Sequence, residues 1–66
     1  MKDKVEELKR VILALASRDV FNGKGRVFIE ELVSMGYRYE DVCEAIRLLS
    51  KSRELRTVGN IIIVKL

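Results

Sequence analysis

The stretch I29EELVSMGYRYEDVCEAIRLLSK51 decides the fold, because it contains two short helical patterns separated by a short turn that begins with a glycine. The first pattern covers residues 29–35 and has two glutamates in its first turn, where a helix favours negative charge. Gly36 follows at once and suits the left-handed conformation that ends a helix. The second pattern covers residues 40–51 and repeats apolar residues at helical spacing. The stretch therefore predicts two helices that cross around a tight turn.

The tail L55RTVGNIIIVKL66 predicts a β-hairpin, because two β-branched runs flank the pair Gly59-Asn60. A two-residue turn at this pair fixes the register of the two strands. It sets Val58 opposite Ile61, Thr57 opposite Ile62, Arg56 opposite Ile63, and Leu55 opposite Val64.

The first half of the chain predicts a helix, a turn and a short strand. Apolar residues recur at helical spacing over residues 3–17. The segment S17RDVFNGKG25 breaks this pattern, and Asn22, Gly23 and Gly25 are expected to supply the positive φ angles of a tight turn. Residues 26–28 predict a strand that pairs with the last strand of the hairpin, which makes that last strand central.

These elements predict a single α+β domain over residues 1–66, with helices near 3–17, 29–35 and 40–51 and a hairpin near 55–65. A chain this short needs a densely packed core. The residues expected to be most buried are Leu8, Ile12, Leu15, Leu32, Val42, Ile46, Leu49, Leu55, Ile62 and Val64.

The composition indicates neither catalysis nor a cofactor. The chain has no His and one cysteine, Cys43, so neither the usual metal-ligand sets nor a nucleophile and base can be assembled. The glycines around Lys24 do not match a phosphate-binding loop, because no Ser or Thr follows the lysine. We therefore expect a protein that is not an enzyme and that has no catalytic residue, no metal site and no cofactor.

The single cysteine, the charged N-terminus and the short apolar runs predict a cytoplasmic protein that does not enter a membrane. The chain also lacks Pro and Gln and is rich in Lys, Arg and Glu, a profile typical of thermophilic proteins.

Positive charge is concentrated at the end of the chain. Residues 1–44 hold eight Lys or Arg and nine Asp or Glu, whereas residues 45–66 hold five Lys or Arg and one Glu. Residues 1–44 therefore carry a net charge of −1, and residues 45–66 carry a net charge of +4. The last third is expected to meet a polyanion, unless it is only a solvated basic face.

The order helix, strand, helix, helix, strand, strand resembles the winged helix-turn-helix family over nearly the whole chain. The resemblance rests on F28IEEL32, on the core spacing of the third helix, and on Leu55 at the entry to the hairpin. Among members of the family, the chain looks most like small archaeal ones, including the C-terminal domain of the archaeal minichromosome maintenance helicase. It departs from the family where Ser52-Arg53 follows the third helix, at a place that often holds Gly.

The resemblance implies binding of duplex DNA in transcription regulation or DNA replication, with the third helix in the major groove and the hairpin, or wing, on the backbone. Arginine and lysine suit guanine and phosphate at such positions. The residues that match the DNA-contacting positions are Arg38, Tyr39, Arg47, Lys51, Arg53, Arg56, Thr57 and Asn60.

The third helix also begins with acidic residues, Glu40, Asp41 and Glu44, which oppose a polyanion. They are equally explained by the preference of a helix N-terminus for negative charge and by an ion pair between Glu44 and Arg47. A second function therefore stays open, in which the same scaffold binds a protein partner in a replication complex or another assembly and binds little or no DNA.

The last strand is apolar on both faces, although a sheet with one solvent-exposed face should alternate. If Ile62 and Val64 face the helices, then Ile61 and Ile63 point outward beside Val58. Such a patch predicts a homodimer or a protein partner at this face, unless another part of the chain covers it.

Overall fold

Three helices and one four-stranded antiparallel sheet make up the structure, a computed structural model that describes residues 2–66 and the side chains from Lys4 onward. The α+β class predicted from the sequence is confirmed. In chain order, the elements are α1 (Lys2–Arg18), β1 (Val20–Phe21), β2 (Lys24–Phe28), α2 (Ile29–Ser34), α3 (Tyr39–Leu49), β3 (Leu55–Val58) and β4 (Ile61–Lys65).

The sheet has the strand order β1-β2-β4-β3. Strand β4 is therefore central and pairs with β2, as predicted. The hairpin has the predicted register, from Leu55 opposite Val64 to Val58 opposite Ile61. Gly59 has a φ of 61°. A positive φ at the first central position is what a type II′ turn requires, and this turn suits the twist of the two strands.

The segment that was expected to be only a turn forms a second, smaller hairpin. Val20 pairs with Gly25 and Phe21 pairs with Lys24 across the turn at Asn22-Gly23. Both turn residues have positive φ, 56° and 77°, as a type I′ turn requires. Strand β1 has two residues, too few for any periodic pattern to reveal. Strand β2 accordingly begins at Lys24, two residues before the predicted start.

Gly25 has a different role from the predicted one, because its φ is not positive. It lies on β2 directly beneath α1, and a Cβ atom placed there would lie 2.2 Å from the carbonyl oxygen of Ala16. Glycine therefore allows α1 to approach the sheet at van der Waals distance.

The ends of α2 and α3 differ slightly from the predicted ones. Helix α2 stops at Ser34, and Gly36 follows with a φ of 101°, the left-handed conformation predicted for it. Helix α3 starts at Tyr39 and stops at Leu49, two residues before the predicted end. The backbone N–H groups of Ser52 and Arg53 both donate to the carbonyl of Leu49 at 3.0 Å, which turns the chain toward β3.

The core lies between the inner face of the sheet and the three helices. Seven of the predicted core residues are buried: Leu8, Ile12, Leu32, Val42, Leu49, Ile62 and Val64. The prediction was wrong for Leu15, Ile46 and Leu55, which are only partly buried and pack at the margin. It missed four buried residues: Ala16, Val27, Ile29 and Ala45.

The two errors on α1 and α3 share a cause. Small residues, Ala16 and Ala45, occupy the faces where the helices come closest to their neighbours. The larger Leu15 and Ile46 are rotated to the flanks, where there is room for them. Large apolar residues at helical spacing therefore point to Leu15 and Ile46, whereas the most buried residues are the adjacent alanines.

Polar contacts hold the connection between α2 and α3 and the tip of the hairpin in place. The Tyr37 hydroxyl donates to the Glu7 carboxylate on α1, and the Lys4 ammonium lies 5.7 Å from the centre of the Tyr37 ring. The backbone N–H of Ile29 donates to the carbonyl of Asn60 at 2.8 Å, which fixes the hairpin turn beside the start of α2. Within residues 2–66, no helix has the length and hydropathy to cross a membrane.

Candidate functional site

Helix α3 and the β3–β4 hairpin border a shallow groove. Tyr39 and Cys43 contribute to it from the exposed side of α3, and Thr57 and Gly59 contribute from the hairpin. Ile29 and the partly buried Ile46 complete its lining. The part of Ile46 that the core leaves uncovered therefore lies in this groove. Helix α3 and the hairpin thus offer one continuous surface to a ligand.

The two arginines of the α3 region are held by neighbouring glutamates. Arg47 Nε lies 3.2 Å from Glu44 Oε1, and its Nη2 donates to the other carboxylate oxygen. This hydrogen bond lowers the pKa of Glu44 and raises that of Arg47. Arg38 Nη2 lies 2.7 Å from Glu40 Oε1. The expected contact between Glu44 and Arg47 is therefore present, and two of the four arginines predicted to meet DNA, Arg38 and Arg47, have a partner of opposite charge.

Tyr39 begins α3 and is well exposed, and the Cys43 side chain one turn later is exposed too. A hydrogen bond with the Cys43 side chain raises the pKa of Tyr39. A phenol is protonated at neutral pH even at its ordinary pKa of 10, so Tyr39 can donate a hydrogen bond to a ligand in the groove.

Lys51 and Arg53 lie after α3 rather than on it, in the turn that leads to β3. Both side chains are exposed, and Arg53 Nη1 donates to the carbonyl of Lys65 at 3.3 Å. Among the described residues, neither side chain forms an ion pair. They are therefore more available to phosphate than Arg38 and Arg47 are.

The hairpin residues predicted to contact DNA are divided between two surfaces. Thr57 borders the groove beside α3, and Asn60 lines a depression with Tyr39 and α2. Arg56 precedes Thr57 on the same strand and therefore points to the opposite face of the sheet. There it lies beside Ile63, together with Lys65 and Glu54. Arg56 does not join the α3 groove.

The face of the sheet that points away from the helices, called here the outer face, holds residues that the sequence reasoning did not single out. Strand β2 alternates exposed and buried residues, with Lys24, Arg26 and Phe28 exposed. The alternation is visible in the sequence, but only the pairing with β4 shows what these residues adjoin. Arg26 is opposite Ile63, and Phe28 is opposite Ile61.

The outer apolar residues predicted to meet a partner lie on this face as expected. Val58 is 54% exposed, and Ile61 and Ile63 are partly buried by their neighbours on the adjacent strands. Phe28, Ile61 and Val58 form a row across three strands at the end near the hairpin turn.

Residues 2–66 contain no cluster of three or more His, Cys, Asp or Glu side chains that could hold a metal ion. The candidate site consists of two surfaces, the α3 groove and the outer face. Comparison of the chain with protein-family models, with curated proteins and with solved structures found no significant match in any of the three.

Proposed function

We propose that this chain is a winged-helix DNA-binding module that contacts duplex DNA through α3 and the β3–β4 hairpin, in transcription regulation or in DNA replication. The observation that carries the proposal is the groove shared by Tyr39 and Cys43 of α3 and by Thr57 and Gly59 of the hairpin. An exposed helix beside a hairpin matches the way winged helices dock on a duplex.

The contacts expected with DNA are mostly contacts with its backbone. Lys51 and Arg53 extend from the end of α3, where their charge can meet phosphates. Tyr39, Thr57 and Asn60 add neutral hydrogen-bonding groups along the groove. Arg47 reaches a base or a phosphate only when it leaves Glu44, because that carboxylate occupies its donors. The affinity for DNA should therefore depend strongly on the salt concentration and only modestly on the base sequence.

The test is a titration of labelled duplex DNA by fluorescence anisotropy over a range of salt concentrations. Binding through phosphates predicts an affinity that falls steeply as salt rises. Lys51→Ala should weaken binding and reduce the slope of log affinity against log salt by about one. Arg10→Ala is the matched control, because it removes one exposed charge from α1 and should change neither value. Absence of binding at low salt would overturn the proposal.

A second function is favoured by the ion pairs on α3. Because Glu40 and Glu44 balance Arg38 and Arg47, the face of α3 has little net charge and attracts a polyanion only weakly. On this alternative, the α3 groove binds a protein partner in a replication complex or another assembly. The partner should be recovered from extract after nuclease treatment and should be lost with Glu44→Gln. Recovery that depends on intact nucleic acid would contradict it.

A further inference from the structure

The outer face of the sheet has a regular arrangement of aromatic and basic side chains. Strand pairing places Phe21 beside Lys24, and Lys24 opposite Lys65. The next cross-strand row of outward-pointing residues contains Arg26, Ile63 and Arg56, and the row after it contains Phe28, Ile61 and Val58. Since the helices pack against the inner face, none of these rows lies beneath a helix.

The two phenylalanines are the least expected members of this face. Phe21 is 73% exposed and Phe28 is 50% exposed, so most of one ring and half of the other meet water. Rings this large are normally buried in a core or an interface. Phe21 also borders an open depression with Lys24, Arg26 and Ile63, which brings an aromatic ring and two cations to one place.

The positive charges on this face are brought together by the fold. Lys24 and Arg26 come from the first half of the chain, whereas Arg56 and Lys65 come from the end. Lys24 lies directly opposite Lys65, an arrangement of like charges that costs stability in a sheet. Lys65 Nζ lies 3.4 Å from Glu54 Oε1, and this is the one ion pair of the outer face within residues 2–66. Four cations with one acid favour an anionic partner.

A second copy of this chain is a poor match for the outer face. Two copies stacked through Ile61 and Ile63 would bring Arg26 and Arg56 of one copy close to the same residues of the other. Duplex DNA is also a poor match, because its bases are stacked inside the helix and offer no flat surface to Phe21 or Phe28. A single strand presents both bases and phosphates.

We propose that the outer face binds single-stranded nucleic acid, with bases stacked on Phe21 and Phe28 and phosphates held by Lys24, Arg26 and Arg56. The Cα atoms of the two phenylalanines are about 14 Å apart along the sheet, given a rise of about 3.3 Å per residue and about 4.8 Å between strands. Arg26 lies between the two phenylalanine positions, where the backbone linking two stacked bases would pass, and Lys24 lies beside Phe21. Arg56 lies on the far side of β4, next to Ile63. The face is separate from the α3 groove, so the site stands independently of binding to duplex DNA.

The test measures the affinity of a short labelled oligothymidine by fluorescence anisotropy at low salt. Phe21→Ala and Phe28→Ala should each weaken binding roughly 5- to 150-fold, the range of a lost stacking contact. Phe21→Leu should weaken it as well, because leucine keeps apolar area but has no aromatic face. Arg26→Ala should reduce both the affinity and its dependence on salt. Val33→Ala, which trims an exposed apolar residue of α2, is the matched control and should have no effect.

The high exposure of Phe21 makes a folding defect unexpected, and circular dichroism of each variant checks this directly. Oligothymidine binding that survives both phenylalanine substitutions would overturn the proposal. So would sedimentation that gives a dimer for the parent and a monomer for Ile61→Thr, since a second copy would then occupy the face. Lys51→Ala separates the two sites, because it should weaken duplex binding and leave oligothymidine binding unchanged.

Discussion

Gly25 determines how closely α1 approaches the sheet. Replacing glycine by alanine where φ is ordinary stabilises a protein by about 0.4–1 kcal/mol through the unfolded state. At this position, the new methyl group would lie 2.2 Å from a backbone oxygen of α1, and such overpacking costs about 1–3 kcal/mol. The clash should therefore dominate, and Gly25→Ala should lower the free energy of unfolding measured with urea.

The control for this prediction is the double variant Ala16→Gly with Gly25→Ala. Removing the methyl group of Ala16 takes away one of the three nearest atoms, but its backbone oxygen and carbon remain at 2.2 and 2.6 Å. The second substitution should therefore fail to restore stability. A full recovery would mean that the two side chains, and not the backbone of α1, limit the approach.

The ion pair between Glu44 and Arg47 makes a prediction about pH. The hydrogen bond from Arg47 holds the pKa of Glu44 below its ordinary value of 4.5 in the folded state. The Glu44 carboxylate therefore binds a proton more readily in the unfolded state than in the folded state. As a result, the ion pair stabilises the fold above pH 4.5, and this contribution is lost as the pH falls through the lowered pKa. In an NMR titration, Arg47→Ala should raise the pKa of Glu44 toward 4.5, and Lys51→Ala should raise it less. Equal titration curves in all three proteins would contradict this.

At the scale of the elements, two apolar residues of α3 that look alike in the sequence differ in burial. Leu49 is 4% exposed, whereas Ile46 is only partly buried and borders the groove. Leu49→Ala should cost about 2–5 kcal/mol of unfolding free energy, the usual range for a buried leucine. Ile46→Ala should cost clearly less, because it leaves no enclosed cavity. Equal losses in thermal or urea unfolding would mean that α3 is rotated from the described orientation.

The elements predicted best are those whose geometry is set by a few neighbouring residues. Gly59-Asn60 fixes every pair of the hairpin, and that register was predicted correctly. Gly36 fixes the end of α2 in the same way. Strand β1 was missed because two residues are too few for a periodic pattern, although the Asn22-Gly23 turn that forms its hairpin was predicted. The end of α3 at Leu49 was missed because the apolar pattern does not show the turn that follows it.

At the scale of the whole molecule, the charge map of the fold differs from that of the sequence. The sequence placed the positive charge in the last third, but pairing of β2 with β4 adds Lys24 and Arg26 to the same face as Arg56 and Lys65. The α3 groove was predictable in outline because α3 and the hairpin follow each other along the chain. The outer face was not, because its two halves lie far apart in sequence.

The two surfaces respond to different changes, and one set of variants can separate them. Arg47→Ala should weaken duplex binding and leave oligothymidine binding unchanged, because Arg47 lies on α3. Arg56→Ala should do the reverse, because Arg56 lies beside Ile63 on the outer face. Both substitutions remove one positive charge, so each serves as the control for the other. A similar loss of both affinities in both variants would mean that the molecule binds nucleic acid through its overall charge alone.

Glu44 decides between the two uses of α3. Its carboxylate occupies the donors of Arg47 and opposes phosphates near the groove. Glu44→Gln removes the charge with almost no change in shape, so the affinity for duplex DNA should rise roughly two- to fivefold at low salt, with the gain fading as salt screens the charge. Glu6→Gln removes the same charge from α1 and should have no such effect. An unchanged duplex affinity for Glu44→Gln, together with loss of a protein partner, would assign α3 to protein recognition instead of DNA.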